Sequence, residues 1–367
     1  MNPVNTIEIP VTEYQDLSEA DLFERTVAAK QVLGDRVLIL GHNYQRDDVI
    51  VHADLRGDSL MLSKLASEQS QYPNIVFCGV HFMAETADIL SRSNQTVILP
   101  DLAAGCSMAD MAAIEQVDQC WEELGRVLSV EEEVTPAVYV NSAAVLKAFC
   151  GEHGGITCTS STAKAILEWC WSRREKVLFF PDEHLGRNTA NAMGIPREDM
   201  IVWDPYQPYG GNSRDAILKA RLILWKGHCS VHQMFQAEHV AYFRKTYPGI
   251  QVIVHPECNE EVVNQADVVG STERIIRTVS QAPAGTSWVV GTELNLVNRL
   301  KKEQIDKQVF FLSPTVCRCA TMYRIDGAHL CWALENLGQG HVVNHISVPD
   351  DEKEFARTAL DRMMVLS

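Results

Sequence analysis

Three cysteine segments lie far apart in the chain: Gly105-Cys106-Ser107, Gly227-His228-Cys229-Ser230 and Cys317-Arg318-Cys319. Zinc sites and ferredoxin clusters usually gather their thiolates in tight C-x-x-C runs, so scattered cysteines call for a different ligand arrangement. Three thiolates suffice to hold three irons of a 4Fe–4S cubane. The fourth iron then has no protein ligand and acts as a Lewis acid toward a carboxylate or hydroxyl, promoting loss of water. Groups able to move protons stand at His42, Tyr44, His232, His255 and Glu257. The hydroxyls of Ser59, Ser160, Ser271 and Thr272, near expected helix starts, suit a phosphate or carboxylate. The chain has neither G-x-x-x-x-G-K-S/T nor G-x-G-x-x-G, which argues against nucleotide-fuelled and nicotinamide chemistry. Other readings stand beside this one. Cys317 and Cys319 also fit a redox pair, Cys258 a spare ligand, and Glu257, next to Pro256, an exposed loop acid.

These groups need a scaffold that brings distant segments to comparable places. Short apolar runs alternate with helical patterns, the rhythm of α/β domains. Val37–Leu40, Ile75–Phe77 and Thr96–Leu99 read as buried parallel strands, with helices over Ser59–Glu68 and Met83–Leu90. The rhythm recurs at Ala137–Val140, Gly155–Cys158 and Val177–Phe180. It recurs again at Gln251–Val254, Asp267–Val269 and Trp288–Val290, followed by Val309–Leu312. The first strand of each set exits into a polar pair: His42 and Tyr44, Tyr139 and Asn141, His255 and Glu257. Their i, i+2 spacing points both side chains one way if the strand runs on through them. His42 precedes Cys106 by 64 residues, and His255 precedes Cys319 by the same 64. Tyr139 to Cys229 is longer, as an insertion around Asn188 to Asn212 would make it. The expected fold is therefore α/β: three similar three-layer α/β/α domains with short parallel sheets around a pseudo-three-fold axis. The expected divisions are residues 1–130 with an N-terminal helix and Cys106, 131–240 with Cys229, and 241–367 with Cys319 and an acidic helical tail.

The 367-residue chain is 46% hydrophobic and carries a formal charge of −16, enough apolar content for two or three cores. That charge argues against nucleic-acid and anionic-membrane partners. Met1 to Pro10 has no basic and apolar signal segment, and no apolar run approaches a membrane span. The expectation is a cytoplasmic protein, where eleven cysteines mean metal ligands or buried thiols rather than disulfides. A zinc-dependent hydrolase using Cys229, His232 and one further ligand, or a non-enzymatic iron–sulfur redox sensor, are the competing functions. A sensor that regulates transcription would usually bring a basic DNA-reading module, and none is visible.

Over about Asp35 to Gly327 the chain resembles the quinolinate synthase A family. The resemblance is carried by Gly41-His42-Asn43-Tyr44-Gln45-Arg46, Arg56-Gly57-Asp58-Ser59-Leu60, Pro100-Asp101-Leu102-Ala103-Ala104-Gly105-Cys106-Ser107 and Pro181-Asp182-Glu183-His184-Leu185-Gly186. Trp225-Lys226-Gly227-His228-Cys229-Ser230-Val231-His232, His255-Pro256-Glu257-Cys258, Gly270-Ser271-Thr272 and Gly291-Thr292-Glu293 carry it through the second half. The resemblance implies a 4Fe–4S enzyme of de novo NAD biosynthesis with one cluster cysteine per domain. It implies condensation of iminoaspartate, supplied by L-aspartate oxidase, with dihydroxyacetone phosphate, releasing phosphate and two waters to give quinolinate. It places the ligands on Cys106, Cys229 and a cysteine of the last unit, where the 64-residue match favours Cys319 over Cys317. Substrate-site groups fall on His42, Tyr44, Ser59, Tyr139, Asn141, Ser160, His232, His255, Glu257, Ser271 and Thr272. Of these, Tyr44, Glu257, His232 and His255 are the expected proton-moving catalysts.

Overall fold

The computed structural model describes residues 8–315 and 318–366, so Cys317 lies outside it. The chain is mixed α/β, with short, mostly parallel sheets and helices between the strands, as a three-layer α/β/α arrangement requires. It forms two compact units. One is Met1–Cys106 with Ala320–Val348; the other is Ser107–Cys319 with Pro349–Ser367.

The first unit holds a five-stranded sheet in the order His345–Ile346, Thr96–Ile98, Asn74–Cys78, Val37–His42, Leu55–Gly57. Only His345–Ile346, at one edge, is antiparallel. The second unit holds two sheets. One runs Ile156–Cys158, Val134–Tyr139, Lys176–Phe180, Leu222–Trp225, Met200–Trp203; the other runs Val268–Val269, Gln251–Val254, Ser287–Gly291, Gln308–Phe311. Val37–His42 and Val134–Tyr139 are buried along their whole length, which is why Val37–Leu40 and Ala137–Val140 read as unbroken apolar runs rather than alternating ones.

All three sheets share one topology. The strand that comes first in the chain lies inside the sheet, its successor pairs on one side, and the following strands extend the other. The chain therefore reverses its direction of growth at Val37–His42, Val134–Tyr139 and Gln251–Val254. The carboxyl end of a strand at such a reversal opens into a crevice where α/β proteins bind ligands. The polar pairs follow these three strands.

The strands stop earlier than their continuation through the pairs would require, at His42, Tyr139 and Val254. A tight turn replaces the extended backbone in two of the three. The Tyr44 amide donates to His42 Nδ1 (3.1 Å) and the Gln45 amide to the His42 carbonyl (2.9 Å). The Glu257 amide lies 3.4 Å from His255 Nδ1, and the Cys258 amide donates to the His255 carbonyl (3.0 Å). The histidine ring closes the turn in both places. The pairing of His42 with Tyr44 and of His255 with Glu257 thus comes from a recurring turn, not from strand alternation.

Helices Ser59–Glu68 and His81–Leu90 lie where the apolar spacing puts them, and the acidic tail is the helix Asp350–Val365. Within the second unit this last helix packs on Ala144–Glu152 so closely that a Cβ at Gly151 would sit 1.9 Å from the Phe355 carbonyl oxygen. Gly151→Ala should therefore destabilise the protein by about 1–3 kcal/mol through overpacking, read as a lower Tm. Gly338→Ala, whose Cβ would meet open space, should leave Tm unchanged or raise it.

Candidate active site

Each expected cluster cysteine follows the same strand of its sheet, two places from the reversal. Cys106 follows Thr96–Ile98, Cys229 follows Leu222–Trp225 and Cys319 follows Gln308–Phe311. The greater length before Cys229 is taken up by an added edge strand, Met200–Trp203, outside Leu222–Trp225. Cys106, Cys229 and Cys319 are only half-buried, whereas the other seven cysteines among the described residues are buried. Desolvation pushes the buried thiols up, Cys78 to about 12 and Cys331 to about 11, so they resist becoming the thiolate a metal needs. The donor chemistry of Cys106, Cys229 and Cys319 fits an iron–sulfur cluster better than that of any other described cysteine.

In the second unit Glu257 is 2% exposed, so it is a buried carboxyl and not a loop acid at the surface. The Tyr139 hydroxyl donates to its Oε1 at 2.6 Å. Its Oε2 lies 2.7 Å from His232 Nδ1, a close contact out of line with the ring N–H direction, and 3.8 Å from His255 Nδ1. The His232 and His255 rings stack with centroids 4.5 Å apart. His232 Nε2 is 3.2 Å from Thr292 Oγ1. Desolvation alone would raise the Glu257 pKa. The two imidazoles and the hydrogen bonds outweigh it and hold the carboxyl at about 2, so Glu257 is a carboxylate near neutral pH. Asp182 shows the opposite balance: burial first, then the Glu257 charge, push its carboxyl well above the usual range.

Asn141 Oδ1 is buried with no hydrogen-bond partner among the described residues, a polar atom left for a ligand. Ser271 caps the helix Thr272–Gln281, and both Ser271 and Thr272 are buried at its N-terminus. Ser160 is half-buried in the turn after Ile156–Cys158. The first unit carries the remaining expected groups. His42 and Tyr44 meet edge to face at 4.8 Å, and Ser59 is the first residue of a helix capped by Asp58.

Three groups near the site stand in segments that carry the resemblance, yet no role falls on them from the sequence: Asp182, Thr292 and Glu293. Glu293 caps Leu294–Glu303 through Oε2, while Oε1 has no hydrogen-bond partner among the described residues; burial raises its pKa to about 7. Strand exits were the usable signal. Asp182 follows Lys176–Phe180 and Thr292-Glu293 follow Ser287–Gly291, the strands on the other side of the reversal from those that exit into Ser160 and Ser271-Thr272.

Parallel α/β sheets with a buried carboxylate–imidazole–phenol cluster at their carboxyl ends carry the groups an acid–base enzyme uses. The family model for quinolinate synthetase A protein matches residues 25–365. The chain is 56% identical to a quinolinate synthase of Rhodopirellula baltica over 97% of this chain and 94% of that protein. It is 55% identical to one of Herpetosiphon aurantiacus (97% and 95%) and 54% identical to one of Geobacillus kaustophilus (96% and 96%). The chain belongs to the quinolinate synthase family.

Proposed function

We propose that the chain condenses iminoaspartate with dihydroxyacetone phosphate to quinolinate, phosphate and two waters, in the cytoplasm, as a step of NAD biosynthesis. The observation that carries this reading is the buried Glu257 carboxylate, held by Tyr139 and His232, in a chain of this family. Cys106, Cys229 and Cys319 would hold a 4Fe–4S cluster, which when bound supplies an open iron as a Lewis acid for dehydration.

The chain's own residues do the rest. Glu257, kept ionised against His232, takes a substrate proton together with that imidazole, which carries the basicity the carboxylate alone lacks. Tyr139 fixes Oε1, which leaves Oε2 for the transfer, and His232 beside it passes the proton on. His255 closes the turn that carries Glu257. Tyr44 with His42 supplies a second acid–base pair. Glu257, His232 and His255 are at most 3% exposed, and that dryness protects an imine from hydrolysis. Ser271 and Thr272, with Ser59 and Ser160, bind phosphate or carboxylate, and Asn141 offers an acceptor to a substrate N–H or O–H.

No helix among the described residues is long and apolar enough to cross a membrane. The test is an anaerobic assay in which L-aspartate oxidase makes iminoaspartate in situ. Quinolinate should form only with both substrates present, and its absence from iron-loaded protein would overturn the assignment. Exposure to air should abolish turnover with loss of iron, whereas hours of full activity in aerated buffer would remove the open-site cluster.

A further inference from the structure

Cys229, His232 and Glu257 each present one donor atom, and the three atoms lie within 4.8 Å of one another. Tetrahedral zinc, with bonds of about 2.0–2.3 Å, separates its ligand atoms by roughly 3.3–3.8 Å, so His232 Nδ1 and Glu257 Oε2, 2.7 Å apart, have to open slightly while the cysteine sulfur, within 4.8 Å of both donor residues, settles at that spacing. Their surroundings are those of outer-shell support. His232 turns Nε2 to Thr292 Oγ1 at 3.2 Å, and Glu257 turns Oε1 to the Tyr139 hydroxyl at 2.6 Å. What remains facing the common space is His232 Nδ1 and Glu257 Oε2. His232 is 2% exposed, and its Nδ1 has no aligned hydrogen bond among the described residues. A metal-bound histidine commonly has this pattern, one nitrogen on an oxygen and the other on the metal.

We propose that the cluster-free chain binds a single zinc ion at Cys229, His232 and Glu257, with water as fourth ligand. The cysteine thiol loses its proton to solvent on binding, and thiolate and carboxylate together neutralise the ion. Zinc held there occupies Glu257 and, on the reading of Cys229 as a cluster ligand, competes with cluster insertion.

The test uses full-length protein freed of iron and titrated with zinc chloride. The expected result is one zinc per chain. His232→Ala and Glu257→Gln should each weaken binding beyond the about 10–100-fold that loss of an outer-shell partner costs, and Thr292→Val should fall within that range. Cys229→Ala should abolish binding, and Cys106→Ala and Cys319→Ala should leave it unchanged. Cobalt in the same place should show a single thiolate ligand. Zinc that survives both His232→Ala and Glu257→Gln, or is lost with Cys106→Ala, would sit on the three cysteines instead and overturn the proposal, as would no stoichiometric binding. Iron and sulfide content of reconstituted protein tests the cluster reading separately, so either idea can fail alone.

Discussion

Alanine at Cys106, Cys229 or Cys319 is expected to leave the reconstituted protein without an intact 4Fe–4S cluster and without detectable quinolinate formation. A cubane with three protein thiolates has none to spare, so the loss of one should cost the whole assembly rather than a fraction of the rate. Iron and sulfide content with the broad visible absorption of the cluster are the measurements. Cys317→Ala should keep its cluster, since the 64-residue spacing singles out Cys319. Cys170→Ala should keep it too, because that thiol is fully buried and held protonated by desolvation. A full cubane and near-normal turnover in Cys106→Ala, Cys229→Ala or Cys319→Ala would remove that residue from the ligand set.

Glu257→Gln should lower kcat by about 10²–10⁴-fold while KM and cluster content stay close to those of the parent. Glutamine keeps the volume, and its Oε1 can still accept from the Tyr139 hydroxyl, so the turn is preserved. The anion opposite His232 and His255 is lost, and with it the base. Tyr139→Phe should cost less, because it removes a group that orients Glu257 and leaves the carboxylate. Wild-type kcat in Glu257→Gln with the cluster intact would end the catalytic role. A loss confined to KM would make Glu257 a binding group instead.

The fold was readable because buried parallel strands leave unbroken apolar runs, as Val37–Leu40 and Val177–Phe180 do. Met200–Trp203 and Leu222–Trp225 were harder. They sit in a stretch rich in turn residues, and which strand pairs with which depends on contacts distant in sequence. The polar strand exits were legible as positions but not as geometry. His42 and His255 close their turns through a ring nitrogen, and periodicity carries no information about such a bond. The contact between Tyr139 and Glu257 joins residues 118 apart, which spacing could suggest only through the repeat. Asp182 and Glu293 look like ordinary helix caps in sequence, and only burial turns them into unusual acids.

Both compact units are finished by the last part of the chain. The helix Glu19–Leu33 packs on Gly327–Gly338, the edge of the first sheet is closed by His345–Ile346, and Ala144–Glu152 is covered by Asp350–Val365. At about 5–20 residues per second, a ribosome takes roughly 10–40 s to go from Cys106 to Ala320. Through that interval the nascent first unit lacks Gly327–Gly338, the helix on which its opening helix Glu19–Leu33 packs. Folding of either unit therefore waits for synthesis of the segment after Ala320 rather than for emergence of its own first strands. A chain cut before Ala320 would leave both units open to chaperones and proteases, and one cut after Val348 only the second.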